Sequence, residues 1–379
     1  MTKIFNKFNN IKDIITKIEK FENLTNYIND NINSSLNQNI LLSKENISKD
    51  YNFLLYNVIN DFFNTQRKYL FSFKNNTKTI TLFSIDYNNF ISFDLTDILV
   101  NYPLFNSSIQ FEFIDYINEN FLLFITGGNE KNINNNKNYP SDLFLIINIK
   151  LDIIINSNNN INYKKKYIIE YKDKMPSSKS FHSIVFYNDN LYIIGGFDKF
   201  KKASNECFYF SYKNKNWQKL PNLNIPRANC SLCIYNKSFI YVFRGRNDEG
   251  ELNTIECLNI YSKNNEINFW KLINVIDYGY VWNNIYNSCL VVLDENKILI
   301  FGGEDKDKLY KDTFLFDIEN NNIYKGMDLL IPASFNGQGI YSNGKIYGFD
   351  FKNKNGEYEH KIHIFDVKSN YWSLICDFD

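Results

Sequence analysis

The chain has 379 residues, enough for two or three ordinary domains or for one large all-β ring. Its 42 Lys and Arg are matched by 42 Asp and Glu, which argues against a protein built to grip nucleic-acid phosphates, work that takes a strong positive excess. Hydrophobic residues make up 44% and aromatics 17%, ample for a large core.

The first 65 residues hold no Gly, Pro, Trp or Cys. Positions 4, 7, 11, 14, 18, 21, 25, 28 and 32 step by threes and fours and carry seven apolar residues in nine. That spacing, with Lys and Glu between, predicts an amphipathic helix or a coiled coil. Self-association through residues 4–32 and packing on the chain's own domain both fit it. The register breaks at "NSSLNQN", and Asn46–Phe63 reads as a second helix or, in part, as a strand of the following domain. "MTKIFNKFNNIKDII" lacks the continuous apolar stretch of a secretory leader, and no run of about 18 apolar residues predicts a membrane span. Six scattered Cys make a poor disulfide framework for a chain of this length, so the expectation is a reduced, cytoplasmic protein. The 63 Asn, crowded in runs such as "NINNNKN" and "NSNNNINY", read as compositional bias.

From about Arg67 the period changes to two. Short apolar strands end in "LFITGG" at 128, "YIIGG" at 196, "YVFRG" at 245 and "LIFGG" at 303, with weaker copies "YLFSF" at 73 and "IYGFD" at 350. The intervals are 55, 68, 49, 58 and 47 residues, and the longest contains both Asn-rich insertions. Each marker follows a further strand and a tight turn. After it come another apolar strand and then an aromatic: Trp217, Trp270, Tyr324 or Trp372. Four short strands per repeat describe a blade of a β-propeller. The glycines Gly127, Gly128, Gly195, Gly196, Gly245, Gly302 and Gly303 are then expected where blades crowd, because they permit positive φ and carry no Cβ. The late aromatics are expected on the outer strand, filling the gap between blades.

These features resemble the kelch-repeat family, above all in "WQKLPNLNIPRANCSLCIYNKSFIYVFRG" (217–245) and "KMPSSKSFHSIVFYNDNLYIIGG" (174–196). The resemblance spans roughly residues 67–376. It implies an all-β, six-bladed kelch-type propeller over 66–379, preceded by an α-helical segment over 1–65. Arg244 stands where the first glycine of the fourth repeat belongs. The first repeat lacks a clear innermost strand, leaving "NYWSLI" (370–375) or part of 46–63 to close the ring.

Chemistry is sparse. His360 and His363 are three apart in an extended segment and point to opposite faces, as do the thiols of Cys230 and Cys233, so neither pair predicts a metal site. No phosphate loop and no spaced carboxylate pair is present. The expected activity is therefore recognition, with no cofactor, no metal and no catalysis. Lys179, Arg227, Arg246, Tyr278, Tyr280 and Trp282 fall in loops expected on one face, with Arg244 at a strand end beside them. Arg and aromatic residues make good interface anchors. Lys179 and Arg227 fit equally well as donors between blades. The resemblance implies an unidentified protein partner, a cytoskeletal association or a ubiquitin-ligase adaptor among the roles. A propeller enzyme working through its central channel is the contrasting expectation.

Overall fold

A computed structural model describes residues 69–376, apart from 75–78, 86–88, 100–107, 116–119, 132–137, 156–160, 262–268, 278–284, 295, 336–338 and 353–360. The helices expected before residue 65 lie outside the described residues, as do Tyr278, Tyr280, Trp282 and His360.

The chain folds as a succession of antiparallel sheets. Sheet 1 holds Tyr69–Lys74, Thr79–Ser84 and Asn89–Asp94, and a four-residue helix, Thr96–Leu99, follows it. Sheet 2 runs through Ser108–Asp115, Asn120–Thr126, Asn138–Ile155 and Ile161–Lys179, with Asn129–Lys131 added beside the third strand. Sheet 3 is Ser183–Tyr187, Asn190–Ile194, Cys207–Ser211 and Asn216–Lys219. Sheet 4 is Ser231–Tyr235, Phe239–Phe243, Ile255–Asn259 and Lys271–Ile273. Sheet 5 is Cys289–Asp294, Lys297–Phe301, Thr313–Asp317 and Asn322–Lys325, with Ile276–Asp277 parallel to its last strand. Sheet 6 is Ile340–Ser342, Lys345–Lys352, Lys361–Asp366 and Tyr371–Cys376, and Ser334–Phe335 also pairs with the second of these.

Apolar clusters sit between sheets 2 and 3, 3 and 4, 4 and 5, 5 and 6, and 6 and 1, because the inner strands are apolar on both faces. In sheet 4 the consequence is visible in one strand. Cys230, just ahead of it, packs toward sheet 3, while Cys233 packs toward sheet 5. The two thiols therefore face opposite ways.

The first strands of sheets 2 to 6 stand beside one another in chain order. Sheet 1 meets sheet 6 differently. Tyr69–Lys74 lies against Lys345–Lys352, the second strand of sheet 6. Phe83 packs with Ile362 and Ile364 of the third. Sheet 1 thus fills the second to fourth strand positions, and no first strand for it is present among the described residues. The expectation that 370–375 closes against the first repeat is corrected: Tyr371–Cys376 pairs with Lys361–Asp366 as the outer strand of sheet 6. Between sheets 1 and 2, the Tyr167 hydroxyl donates to the Asp94 carbonyl at 3.2 Å.

The expected role of Tyr324 is also corrected. Trp217 lies opposite Phe210 and reaches Phe144 of sheet 2, with ring centroids 4.8 Å apart. Trp372 lies opposite Phe365 and reaches Phe301 of sheet 5 at 5.1 Å. In sheet 5 the residue opposite Phe316 is Ile323, and it, fully buried, fills the gap toward sheet 4. Tyr324, one position on, faces outward at 39% exposure. A shift of one residue in a strand exchanges its faces.

Candidate functional site

The site is built on the glycine pairs. Gly195 has φ +64° and Gly196 φ +93°. A Cβ on Gly196 would lie 2.7 Å from the His182 Cβ and 2.9 Å from the Ser180 carbonyl, so nothing larger fits. The first N–H of each pair donates inside its own sheet, as Gly195 does to Glu206. The second donates to the chain entering the next sheet: Gly128 to Lys179, Gly196 to Arg227 and Gly303 to Ala333, at 2.8 to 2.9 Å. The pair is a backbone clamp between neighbouring sheets.

Lys179 and Arg227 extend that clamp with their side chains, which corrects their expected place on an open loop face. The Lys179 ammonium donates to Ser204 Oγ (2.6 Å) and Glu206 Oε2 (3.0 Å) with its own side chain buried. Arg227, 0% exposed, donates to the carbonyls of Arg244 and Thr254, to Thr254 Oγ1 and to Glu256 Oε1 at 2.6 Å. Glu256 is buried too, and its carboxylate also accepts from the backbone of Asn224 and Ile225 and from Asn224 Nδ2. Every partner of this ion pair is internal, as a buried charge requires. Arg244 is buried as well. It takes the left-handed conformation of the glycine it replaces, φ +56°, and donates to Ser288 Oγ at 3.0 Å with Phe314 beneath its guanidinium. Burial pushes its pKa down, the Asp312 charge opposing the shift.

Arg246 is different. Phe197, Arg246 and Glu304 each follow a second glycine and bridge back to the strand entry of their own sheet, at Ser180, Ala228 and Tyr286. Beside those bridges, Phe181, Asn229 and Asn287 share positive φ (53°, 54° and 55°). Their backbones form a ladder from sheet to sheet: Asn229 N–H donates to Phe181, Asn287 N–H to Asn229 and Phe335 N–H to Asn287. The side chains continue it. Arg246 Nε donates to Asn229 Oδ1 at 3.0 Å, Asn229 Nδ2 to Asn287 Oδ1 at 3.3 Å and Asn287 Nδ2 to Glu304 Oε1 at 2.7 Å. Three rings surround the guanidinium, Tyr286 at 5.0 Å, Phe197 at 5.2 Å and Phe181 at 5.9 Å. Among the described residues the two terminal guanidinium nitrogens donate to no protein acceptor. The result is a half-buried, oriented cation with its fork free.

Of the residues expected at an interface, the structure therefore keeps Arg246 in an accessible cluster and withdraws Lys179, Arg227 and Arg244 into the interior. Sequence reasoning missed Phe181, Phe197, Asn229, Tyr286, Asn287 and Glu304. Their signal was positional, since Phe197 and Glu304 directly follow a second glycine and Phe181, Asn229 and Asn287 stand 15 or 16 residues before one. Of the histidines, His182 is buried with Nε2 2.7 Å from Thr126 Oγ1, and His363 is buried against Phe335. Among the described residues no group of three or more His, Cys, Asp and Glu side chains is gathered as for a metal ion, and no helix is long and apolar enough to cross a membrane.

Residues 113–273 match the family model described as the KLHDC2/KLHL20/DRC7 Kelch-repeats domain. The chain is 26% identical over 227 residues to N-(sulfonatooxy)prop-2-enimidothioate sulfolyase of Thlaspi arvense, covering 53% of this chain and 63% of that one. It is 25% identical over 130 residues to Alpha-scruin of Limulus polyphemus, covering 30% and 14%. With Kelch-like protein 41b of Danio rerio the identity is 32% over 77 residues, covering 20% and 13%. The chain thus spans less than two thirds of each of these relatives. The solved structure titled "Structure of YjhT" shares the fold at a TM-score of 0.55 and 12% identity, over 81% of this chain and 97% of that one.

Proposed function

We propose that the chain is a kelch-repeat protein, as the match of residues 113–273 to the Kelch-repeats model supports, and that residues 66–379 form a six-bladed propeller that binds a protein partner without catalysis. The partner docks on the face carrying the loops that follow the glycine pairs. One observation carries this reading: Arg246 is held by Asn229 and ringed by Phe181, Phe197 and Tyr286, yet its terminal nitrogens have no acceptor among the described residues. A rigid cation with an unused fork, set among aromatic rings, is the composition of an interface anchor. It suits a carboxylate or another planar anion of the partner. Tyr278, Tyr280 and Trp282, which precede Tyr286 in the chain, are proposed as further contacts of the partner. The setting is cytoplasmic, and residues 4–32 supply attachment or self-association.

The test is affinity capture with the wild-type chain and Arg246→Ala. A partner retained by the first and released by the second supports the reading. Equal retention, with both proteins folded, sinks it. The sulfolyase relative keeps an enzymatic reading in view, and stoichiometric copper, iron or zinc in purified protein would favour that reading over a binding module.

A further inference from the structure

We propose that the hairpin Asp198–Ala203 is a second docking element of this face, one that receives an acidic, unstructured segment of the partner with an apolar residue among its carboxylates. The inference rests on the reading that the face binds protein. The hairpin begins immediately after Phe197, a ring of the Arg246 cluster. It returns to it through the Ala203–Phe197 bridge, so the two features are continuous.

The hairpin is rigid at its base and open at its tip. Asp198 Oδ1 accepts the backbone N–H of Phe200 and of Lys202, at 2.8 and 3.0 Å. The Asp198 and Lys201 N–H groups donate to the carbonyls of Lys202 and Asp198. The acid inside the loop is thereby engaged with backbone and leaves the tip basic. At the tip Phe200 is 71% exposed. Lys199, Lys201 and Lys202 flank it, all exposed. The Lys199 ammonium lies 5.0 Å from the Phe200 ring, and that of Lys201 lies 5.5 Å from Tyr139, itself partly exposed on sheet 2. Three of the four residues 199–202 are lysines. An aromatic side chain in water among lysines gains by covering its face with an apolar group while the ammonium groups meet carboxylates.

The neighbouring hairpin decides between a protein and an anionic lipid surface. Asp248 Oδ1 accepts the Ala203 N–H at 3.4 Å, and Asp248 and Glu249 are exposed beside the basic tip. A planar sheet of anionic headgroups would press against those acids as well as the lysines. A narrow segment that engages the Arg246 cluster and the hairpin tip can meet these cations without lying on the acids.

The probe is an acetylated, amidated peptide, Asp-Glu-Glu-Leu-Glu-Glu-Asp, with an Asn/Gln counterpart, titrated against the full chain by NMR. The wild type should bind the acidic peptide and ignore the neutral one. Combined Lys199→Glu, Lys201→Glu and Lys202→Glu should weaken binding by about tenfold or more, and Phe200→Ser by roughly threefold. These side chains are exposed, so the thermal midpoint should not move. Equal affinity in the hairpin variants overturns the inference, and if Arg246→Ala alone then weakens binding the docking face itself stands. Loss in the hairpin variants with Arg246→Ala unaffected supports the hairpin and removes Arg246 from the interface. No binding of the acidic peptide to the wild type overturns the proposal. So does Phe200-dependent sedimentation on phosphatidylserine–phosphatidylcholine vesicles without peptide binding.

Discussion

Arg227 and Arg246 belong to the same repeat and look alike in sequence, since both lie in loops next to small or polar residues. What separates them is the partner each finds across the sheet. Arg227 meets Glu256, a charge on the third strand of sheet 4 that no local pattern connects to it. Such a pair contributes little relative to an apolar replacement but is costly to break. Arg227→Ala should therefore lower stability by about 3–5 kcal/mol in urea unfolding. Arg227→Met combined with Glu256→Leu should recover only part of that loss, because it leaves the Asn224 and Ile225 N–H groups and the Arg244 and Thr254 carbonyls without these partners; a double variant as stable as the wild type would contradict this account. His182 offers a second test. Burial, helped by the Lys179 charge, lowers its pKa to about 3, against about 6.5 in an unfolded chain. Between those values the unfolded state binds the extra proton. Stability should be full above about pH 6.5 and fall on acidification by up to about 1.4 kcal/mol per pH unit. His182→Gln should flatten that slope between pH 7.5 and pH 5 (about the interval in which His alone changes charge). An unchanged slope would assign the pH dependence elsewhere.

At the level of strands, the glycine pairs were legible because backbone geometry leaves a mark on composition: only residues without a Cβ fit the approach at Gly196. Arg244 shows that the left-handed position itself tolerates a side chain once contacts compensate, here Ser288 and Phe314. The outer aromatics were less legible. Tyr324 was expected to take the part that Trp217 and Trp372 take, but pairing in sheet 5 sets Ile323 opposite Phe316 and turns Tyr324 outward. Spacing from a glycine pair does not fix strand register to one residue when the intervening loop changes length. Ile323→Ala should accordingly cost about 2–4 kcal/mol, and Tyr324→Ser should stay within about 1 kcal/mol. Thermal unfolding of the two variants separates them, and the reverse order would restore the first assignment.

Across the whole molecule, repetition and period-two patterning announced an all-β fold of stacked sheets, and the match over residues 113–273 agrees. The candidate cluster was not announced, because it is assembled two or three residues at a time from consecutive repeats. Phe181, Asn229 and Asn287, with Phe197, Arg246 and Glu304, meet only when consecutive sheets stand side by side. No stretch of sequence carries them together. Balanced charge hides the same fact, since the zero total contains a basic hairpin at 198–203 beside an acidic one at 246–251. The most direct measurement of the central claim is capture of a partner by the wild-type chain and by Arg246→Ala, with folding of both verified by circular dichroism. The account predicts a partner held by the wild type and lost, by about tenfold or more, from the variant. A partner held equally by both would contradict it.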